Sequence, residues 1–126
     1  GRFAHENVTF AKPVAGQPVV AYMGCDARVE YIYKFVSSEK WDPADANPRN
    51  RLAAGDKYLD SGTLYAARFN ADGNGEWLEL SPKNPAIAAY KGFDFKTAAD
   101  ICVFTRLAAD AVGATKMDRP EWAGVN

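Results

Sequence analysis

Apolar and aromatic residues alternate with polar ones in four short stretches of the chain. Two of these, Val19–Met23 and Glu30–Val36, are separated by a short connection and are rich in aromatic and β-branched residues, so they predict an antiparallel pair of strands. The other two, Thr63–Phe69 and Glu76–Leu80, flank Ala71-Asp-Gly-Asn-Gly75, whose Asp-Gly and Asn-Gly steps favour a tight hairpin. The predicted fold class is therefore mainly β, built from antiparallel sheets with one or two helices.

A helical pattern appears late in the chain. Apolar residues between Thr97 and Val112 fall mostly on one helical face, and Thr97 and Asp100 have the spacing of a capping box. Gly113 is a typical helix stop. The pattern predicts one structural helix near 97–112, with Cys102 buried on it.

The polar stretch Ser37–Ser61 separates the two predicted strand pairs. It contains Pro43 and Pro48, so we expect an irregular loop over 37–61 with at most a helical turn near Asn50–Ala54. Long ordered loops often cover an active site.

Composition and charge exclude several classes of partner. The chain has 126 residues and a net charge of −1, which is not the basic surface of a nucleic-acid-binding protein. No apolar run approaches the roughly eighteen residues of a membrane-spanning helix, and no stretch has the pattern of a signal peptide. The two cysteines, Cys25 and Cys102, have neither zinc-ligand spacing nor a disulfide framework, although a bridge between them in an oxidising compartment stays open.

The segment Lys116-Met-Asp-Arg-Pro-Glu121 carries the most distinctive chemistry. Pro120 disfavours helical geometry at Arg119, so the segment is predicted to be extended. In an extended chain Arg119 and Glu121 project to one side and Asp118 to the other. A guanidinium suits phosphoryl oxygens and a carboxylate suits a hard cation, so the pair suits a metal-bound phosphate. The alternative is an ordinary surface ion pair.

Other motifs accompany this segment in order along the chain. They are Gly1-Arg-Phe-Ala-His-Glu6, Tyr22-Met-Gly-Cys-Asp-Ala-Arg28, Glu30-Tyr-Ile-Tyr-Lys-Phe-Val36, Gly62-Thr-Leu-Tyr-Ala-Ala-Arg-Phe-Asn70, Gly75-Glu-Trp-Leu78 and Arg106-Leu-Ala-Ala-Asp110. The series resembles the PhoX-type alkaline phosphatases over nearly the whole chain. The resemblance implies a calcium- and iron-dependent enzyme that hydrolyses phosphate monoesters, is built on a β-propeller and is periplasmic or secreted.

The resemblance also implies roles for particular residues. Glu6 and Glu121 match metal-binding carboxylates of the family, and Arg119 matches its phosphate-contacting arginine. His5, Asp118 and Lys116 lie beside these residues in the sequence and are candidates for supporting contacts. One histidine cannot make a zinc site, so His5 is also compatible with a surface position.

The chain departs from the family pattern at two points. Cys25 precedes Asp26 where family members usually have two aspartates, and a thiol there would weaken a calcium site if that position supplied a ligand. The iron-binding cysteine of the family is not in this chain, and neither Cys25 nor Cys102 matches it.

The length of the chain indicates that it is only part of such a protein. Propeller blades take about 40–45 residues each in well-known repeats, so the chain would hold two or three blades of a single domain over 1–126. The motif that follows Gly1 directly and the strand-like ending at Asn126 suggest an internal fragment. We expect such a piece to be weakly active or inactive alone, and to self-associate through exposed sheet edges.

Two other classes of function stay open from the sequence. One is a non-catalytic propeller-like protein that binds calcium or acts as a scaffold. The other is a carbohydrate- or protein-binding module, for which three tryptophans and six tyrosines provide stacking surface. A calcium loop at Asp72–Glu76 is disfavoured, because Trp77 stands where the sharp-turn glycine of an EF-hand belongs.

Overall fold

The computed structural model describes residues 1–126. In chain order the elements are β1 His5–Phe10, β2 Pro18–Cys25, β3 Arg28–Glu30, β4 Ile32–Lys40, a 3-10 helix Pro43–Ala46, α1 Arg51–Leu59, β5 Gly62–Phe69, β6 Gly75–Leu80, α2 Pro85–Ala88, α3 Ala98–Val103, α4 Thr105–Ala111 and β7 Met117–Asp118. The predicted class, mainly antiparallel sheet, is confirmed. The four α-helices are short, and there are more of them than the predicted one or two.

A five-stranded antiparallel sheet with the order β1-β2-β4-β5-β6 forms the body of the molecule. Both predicted strand pairs are present, since β2 pairs with β4 and β5 with β6. Strand β1 was not predicted, although Val8 and Phe10 alternate with polar residues in the short-strand pattern. Strands β3 and β7 form a separate two-stranded ribbon.

The β5–β6 hairpin has the predicted turn. Gly73 has a φ of 85°, a left-handed conformation that glycine adopts without a steric penalty. The Asn74 N–H donates to Asp72 Oδ1 at 2.9 Å. These contacts confirm a plain hairpin at this position.

The segment 37–61 is more regular than predicted. Strand β4 continues to Lys40, and α1 occupies Arg51–Leu59. The Asn50 side chain caps α1 by accepting from the Ala53 N–H at 3.1 Å, which is a favourable helix start. Tyr58 is buried, and its hydroxyl accepts from the Asp42 N–H at 3.1 Å. The prediction of an irregular loop is therefore wrong, because caps and one buried tyrosine order the segment.

The helix predicted near 97–112 is two helices. Its capping box is present at Thr97 and Asp100, and Gly113 ends the pair with a φ of 69°. The helix breaks at Phe104, where the backbone leaves helical geometry (φ −109°, ψ 40°). The Cys102 carbonyl accepts from the Arg2 N–H at 2.7 Å, so the amino-terminal segment takes a carbonyl that a continuous helix would use itself.

The cysteines also differ from expectation. Cys102 is exposed and Cys25 is buried, and both are free. The buried position of Cys102 was therefore predicted wrongly, and the two cysteines form no disulfide bridge.

The core lies between one sheet face and the helices. Fourteen buried residues form one cluster that includes Met23, Tyr33 and Ala66 from the sheet and Ile101 and Ala108 from the helices. Beside it, an apolar cavity of about 450 Å³ opens near the β1 edge, where Val8 and Phe10 line it. No helix is long and apolar enough to cross a membrane.

Candidate functional site

The β3–β7 ribbon brings the end of the chain back to the turn after β2. Arg28 pairs with Asp118 and Glu30 with Met117. One residue further on, the Arg119 N–H donates to the Ala27 carbonyl at 3.1 Å. The ribbon therefore places Arg119 next to Asp26, although these residues are far apart in sequence.

Arg119 has a left-handed backbone with a φ of 53°. The prediction of an extended segment is therefore wrong at this residue. A non-glycine residue in this region is uncommon and costs of order 1–3 kcal/mol, so the surroundings must hold it there. Two hydrogen bonds hold it there: the Arg119 N–H donates to the Ala27 carbonyl, and the Arg119 side chain donates to Asp26.

The guanidinium of Arg119 lies between two carboxylates. Its Nε is 2.8 Å from Asp26 Oδ1 and 3.6 Å from Glu121 Oε1. The predicted proximity of Arg119 and Glu121 is thus present, with a different backbone geometry. The Arg119 side chain remains 54% exposed, so the guanidinium can still reach a ligand from solvent.

The charges of the three groups affect one another. The hydrogen bond from Arg119 holds the pKa of Asp26 below its ordinary value. The charge of Asp26 raises the pKa of Glu121, and partial burial and the charge of Glu6 raise it further. Two carboxylates share one guanidinium, and Arg119 is closer to Asp26. The site therefore has an excess of negative charge near Glu121.

Glu6 at the start of β1 belongs to the same neighbourhood, because its charge acts on Glu121. Glu6, Asp26 and Glu121 offer the hard oxygen donors that calcium prefers. No group of three or more His, Cys, Asp or Glu side chains has the arrangement of a metal site within this chain. The residues thus fit calcium in donor type but do not make a complete ligand set.

The other predicted site residues lie in different surroundings. His5 stacks on Phe3 with ring centroids 3.7 Å apart, and its Nε2 is 2.8 Å from the Gly1 carbonyl oxygen. Lys116 forms an ion pair with Asp110 at 3.1 Å. Asp118 is exposed, and its charge contributes to the raised pKa of Arg119.

Sequence reasoning did not assign Asp26 to the site. The available signal was its position in the Met-Gly-Cys-Asp motif, one residue after the departure at Cys25. Cys25 is fully buried in the core, and burial raises the pKa of its thiol. The side chain at position 25 thus packs inside the molecule, while Asp26 binds Arg119.

An ion pair between a buried glutamate and a half-exposed arginine connects the ribbon to the helices. Glu30 of β3 is 3% exposed and its Oε1 accepts from Arg106 of α4. The Tyr31 hydroxyl donates to Asp110 in the same helix. These bonds connect the ribbon to α4, so the helix pair supports the site without contributing to it directly.

Comparison with known proteins gives the chain a class. The family model described as Alkaline phosphatase PhoX matches residues 1–126. The chain therefore belongs to the PhoX alkaline phosphatase family, whose members are in general metal-dependent phosphatases that are secreted or periplasmic.

Among solved structures, the chain is similar to "Pseudomonas fluorescens PhoX in complex with vanadate, a transition state analogue". The identity is 43% and the TM-score 0.73, and the match covers 97% of this chain and 21% of that one. This chain thus spans about a fifth of the length of the solved relative. A search of curated proteins found no match.

Proposed function

We propose that this chain supplies part of the active site of a PhoX-type phosphatase that hydrolyses phosphate monoesters. Arg119 binds phosphoryl oxygens, and Glu6 and Glu121 are ligands of a metal ion. The observation that supports this most strongly is the half-exposed Arg119 guanidinium between Asp26 and Glu121. The match spans only 21% of the solved relative, so the remaining ligands would come from chain outside these residues.

The proposed role of Arg119 follows from its geometry. Its Nε is bound to Asp26, which fixes the plane of the guanidinium and leaves other donors free. A planar fork of donors matches two oxygens of a phosphoryl group. Donors fixed before the reaction stabilise the charge that develops in the transition state, without reorganising during the step. Asp26 orients the guanidinium in this scheme.

The carboxylates have a separate proposed role. Glu6 and Glu121 supply hard oxygen donors, and the excess negative charge near Glu121 favours a cation. A calcium or iron ion held there would neutralise phosphate charge and polarise its oxygens. The family resemblance supports both metals, a β-propeller of which this chain forms two or three blades, and a periplasmic or secreted location.

The metal role is tested by calorimetric titration of the chain with calcium. Because the ligand set within this chain is incomplete, we expect weak but saturable binding that Glu121→Gln removes, since an amide is a weaker ligand than a carboxylate for a hard cation. Glu79→Gln is the matched control, since Glu79 is an exposed glutamate in β6 at the opposite edge of the sheet. Equal calcium binding by the original chain, Glu121→Gln and Glu79→Gln would reject Glu121 as a ligand.

The phosphate role is tested in a chimera in which this chain replaces the matching segment of the Pseudomonas fluorescens protein. Arg119→Ala should lower kcat/KM for a phosphate monoester by about 10²–10³-fold, as expected when one preorganised donor is lost. Arg68→Ala is the control, because Arg68 forms a surface ion pair with Glu76 at 2.8 Å. Turnover by Arg119→Ala that equals that of the control would contradict the proposal.

A further inference from the structure

Gly24 lies in β2 where the closing segment crosses that strand. A Cβ atom built on Gly24 would be 1.8 Å from the Pro120 carbonyl oxygen, 2.7 Å from the Glu121 oxygen and 2.8 Å from the Pro120 carbonyl carbon. Real Cβ contacts essentially never fall below 3.0 Å. All three atoms belong to backbone, so no side chain can rotate to make room. Any side chain at position 24 must displace the Pro120–Glu121 backbone or the strand.

We propose that Gly24 is a positioning residue for the phosphate-binding arginine and the metal-binding glutamate. Its missing side chain lets the Pro120–Glu121 backbone pack directly on β2, and this contact sets the position of Arg119 and Glu121 on either side of the proline. The proposal rests on the function proposed above. It assigns a role to a residue that itself touches neither substrate nor metal.

The proline makes this contact rigid. Its ring fixes φ near −65°, so a displacement of Pro120 is passed to both neighbours and is not absorbed by rotation. Arg119 is already in a left-handed conformation, φ 53°, that only its surroundings maintain. A shift of the Pro120 carbonyl would therefore strain the hydrogen bond from the Arg119 N–H to the Ala27 carbonyl. It would also change the contact between Arg119 Nε and Asp26.

The tail after the segment is held independently. The Thr9 hydroxyl donates to the Ala123 carbonyl at 2.6 Å, and the Ala123 N–H donates to Asn7 Oδ1 at 3.4 Å. Both partners lie in β1. The segment is thus fixed at both ends, by the ribbon before it and by β1 after it. Additional volume at Gly24 would push against the middle of this bridge, where the site residues are.

A matched glycine provides the control. Gly55 in α1 has no heavy atom within 4 Å of a built Cβ, so Gly55→Ala adds the same methyl group without a collision. Gly62 is less suitable as a control, because a Cβ built on it would collide with the Phe35 ring and with the Val36 carbonyl oxygen. The pair Gly24→Ala and Gly55→Ala thus separates the collision from the general effect of replacing a glycine.

The first experiment measures amide hydrogen exchange in the 126-residue chain. In Gly24→Ala the Arg119 amide should exchange about tenfold faster or more, while β4 and β5 amides keep their protection, because local opening need not involve the rest of the sheet. Gly55→Ala should leave Arg119 unchanged. The proposal would be overturned if the Arg119 amide exchanged in Gly24→Ala at the same rate as in the original chain.

A second variant covers the case in which Gly24→Ala does not fold. Pro120→Gly keeps the space at position 24 but removes the rigid link, so the Arg119 amide should again exchange faster while β4 and β5 stay protected. Exchange at the wild-type rate in Pro120→Gly would show that the proline contact does not hold Arg119, and would overturn the proposal.

The second experiment is a double-mutant cycle in the chimera, measured as kcat/KM. Gly24→Ala should cost about 100-fold, the size of effect expected from a misplacement of about 1 Å in a catalytic group. In an Arg119→Ala background the same change should cost clearly less than 100-fold, because coupled residues are not additive and only the part that acts through Glu121 remains. Additive losses would show that Gly24 does not act through Arg119 and would overturn its role in positioning that residue.

The two proposals fail in different ways. If Arg119→Ala leaves turnover unchanged, the function proposed for Arg119 is wrong, whereas the amide exchange of Arg119 still decides whether Gly24 positions it. If Arg119→Ala lowers turnover and Gly24→Ala does not, the phosphate role stands and the positioning role is rejected.

Discussion

The pKa of Glu121 depends on the charges of its neighbours. The charge of Asp26 is the largest cause of its raised pKa, and the charge of Arg119 opposes the effect. The same guanidinium holds the pKa of Asp26 low. Asp26, a residue that the sequence places in a distant motif, therefore disfavours the ionised form of Glu121.

Replacing Asp26 by asparagine should lower the pKa of Glu121. The substitution removes the negative charge that disfavours ionisation of Glu121, and it leaves the Arg119 guanidinium with one carboxylate in place of two. An NMR titration that follows the Glu121 side-chain carboxyl carbon measures the shift. Asp72→Asn in the β5–β6 turn is the control and should leave the titration of Glu121 unchanged. A Glu121 pKa that does not move in Asp26→Asn would show that the two carboxylates do not interact.

Part of this residue-scale picture follows from sequence alone. The Arg-Pro-Glu order predicts that the Arg119 and Glu121 side chains lie close together, and they do, although the extended backbone on which the prediction depends is absent at Arg119. The sequence does not show Asp26, because the Arg119–Asp26 contact joins residues 93 positions apart. Nor does it show the left-handed backbone of Arg119, which tertiary contacts impose against the ordinary preference of the residue.

At the scale of elements, local signals predicted where helices start better than where they break. The capping box at Thr97 and the stop at Gly113 are local and were both predicted correctly. The break at Phe104 depends on the Arg2 N–H, which comes from the other end of the chain. The sequence predicts only a turn of α1, near Asn50–Ala54. The cap at Asn50 is a local signal, whereas the buried Tyr58 that secures the rest of the helix contacts a separate turn.

The capping box makes the stability of α3 depend on pH. Hydrogen bonds from the Lys96 N–H and from Thr97 hold the pKa of Asp100 below its ordinary value. The unfolded chain then binds this proton more readily, so the contribution is complete above the unfolded pKa of about 4 and is lost as pH falls through the folded pKa. Asp100→Asn should reduce the acid-dependent loss of stability. Urea unfolding between roughly pH 2 and pH 6 measures it.

Asp94→Asn is the control for this prediction. Asp94 is an exposed aspartate before the same helix and pairs with the Lys96 side chain, but it does not cap the backbone. The acid dependence of stability in Asp94→Asn should stay close to that of the original chain. If the two variants lose stability equally with falling pH, the capping carboxylate is not the source of the effect.

At the scale of the whole molecule, the sheet ends in two edge strands, each of which pairs with a neighbouring strand on one side only. β1 and β6 are the outer strands of the order β1-β2-β4-β5-β6. On β1, Val8 and Phe10 are exposed, 45% and 47% respectively, beside the apolar cavity. An open edge with apolar side chains tends to pair with a second chain. Self-association through β1 is therefore our expectation for the isolated chain.

Val8→Lys should weaken this self-association, because a lysine on an edge strand opposes pairing with another edge. Sedimentation velocity over a range of protein concentrations measures the effect. Val14→Lys is the control, since Val14 is also exposed, at 57%, and lies outside the strands. The prediction is wrong if Val8→Lys and Val14→Lys associate to the same degree.

The overall class could be predicted because alternation of polar and apolar residues is a local property. Thr63–Phe69 and Glu76–Leu80 correspond closely to β5 and β6. The ribbon of β3 and β7 could not be predicted in this way. Each strand is too short to show a period, and the pairing of Arg28 with Asp118 is visible only in three dimensions.

The long sequence separation between Asp26 and Arg119 has a consequence for protein synthesis. All five strands of the main sheet are complete once Leu80 has been made, whereas Arg119 and Glu121 are added only after it. A translation product that stops after the sheet would have every strand of the main sheet and only Glu6 and Asp26 of the site. It would also lack the helices that complete the core, so strand pairing alone would not show that the core and the site have formed.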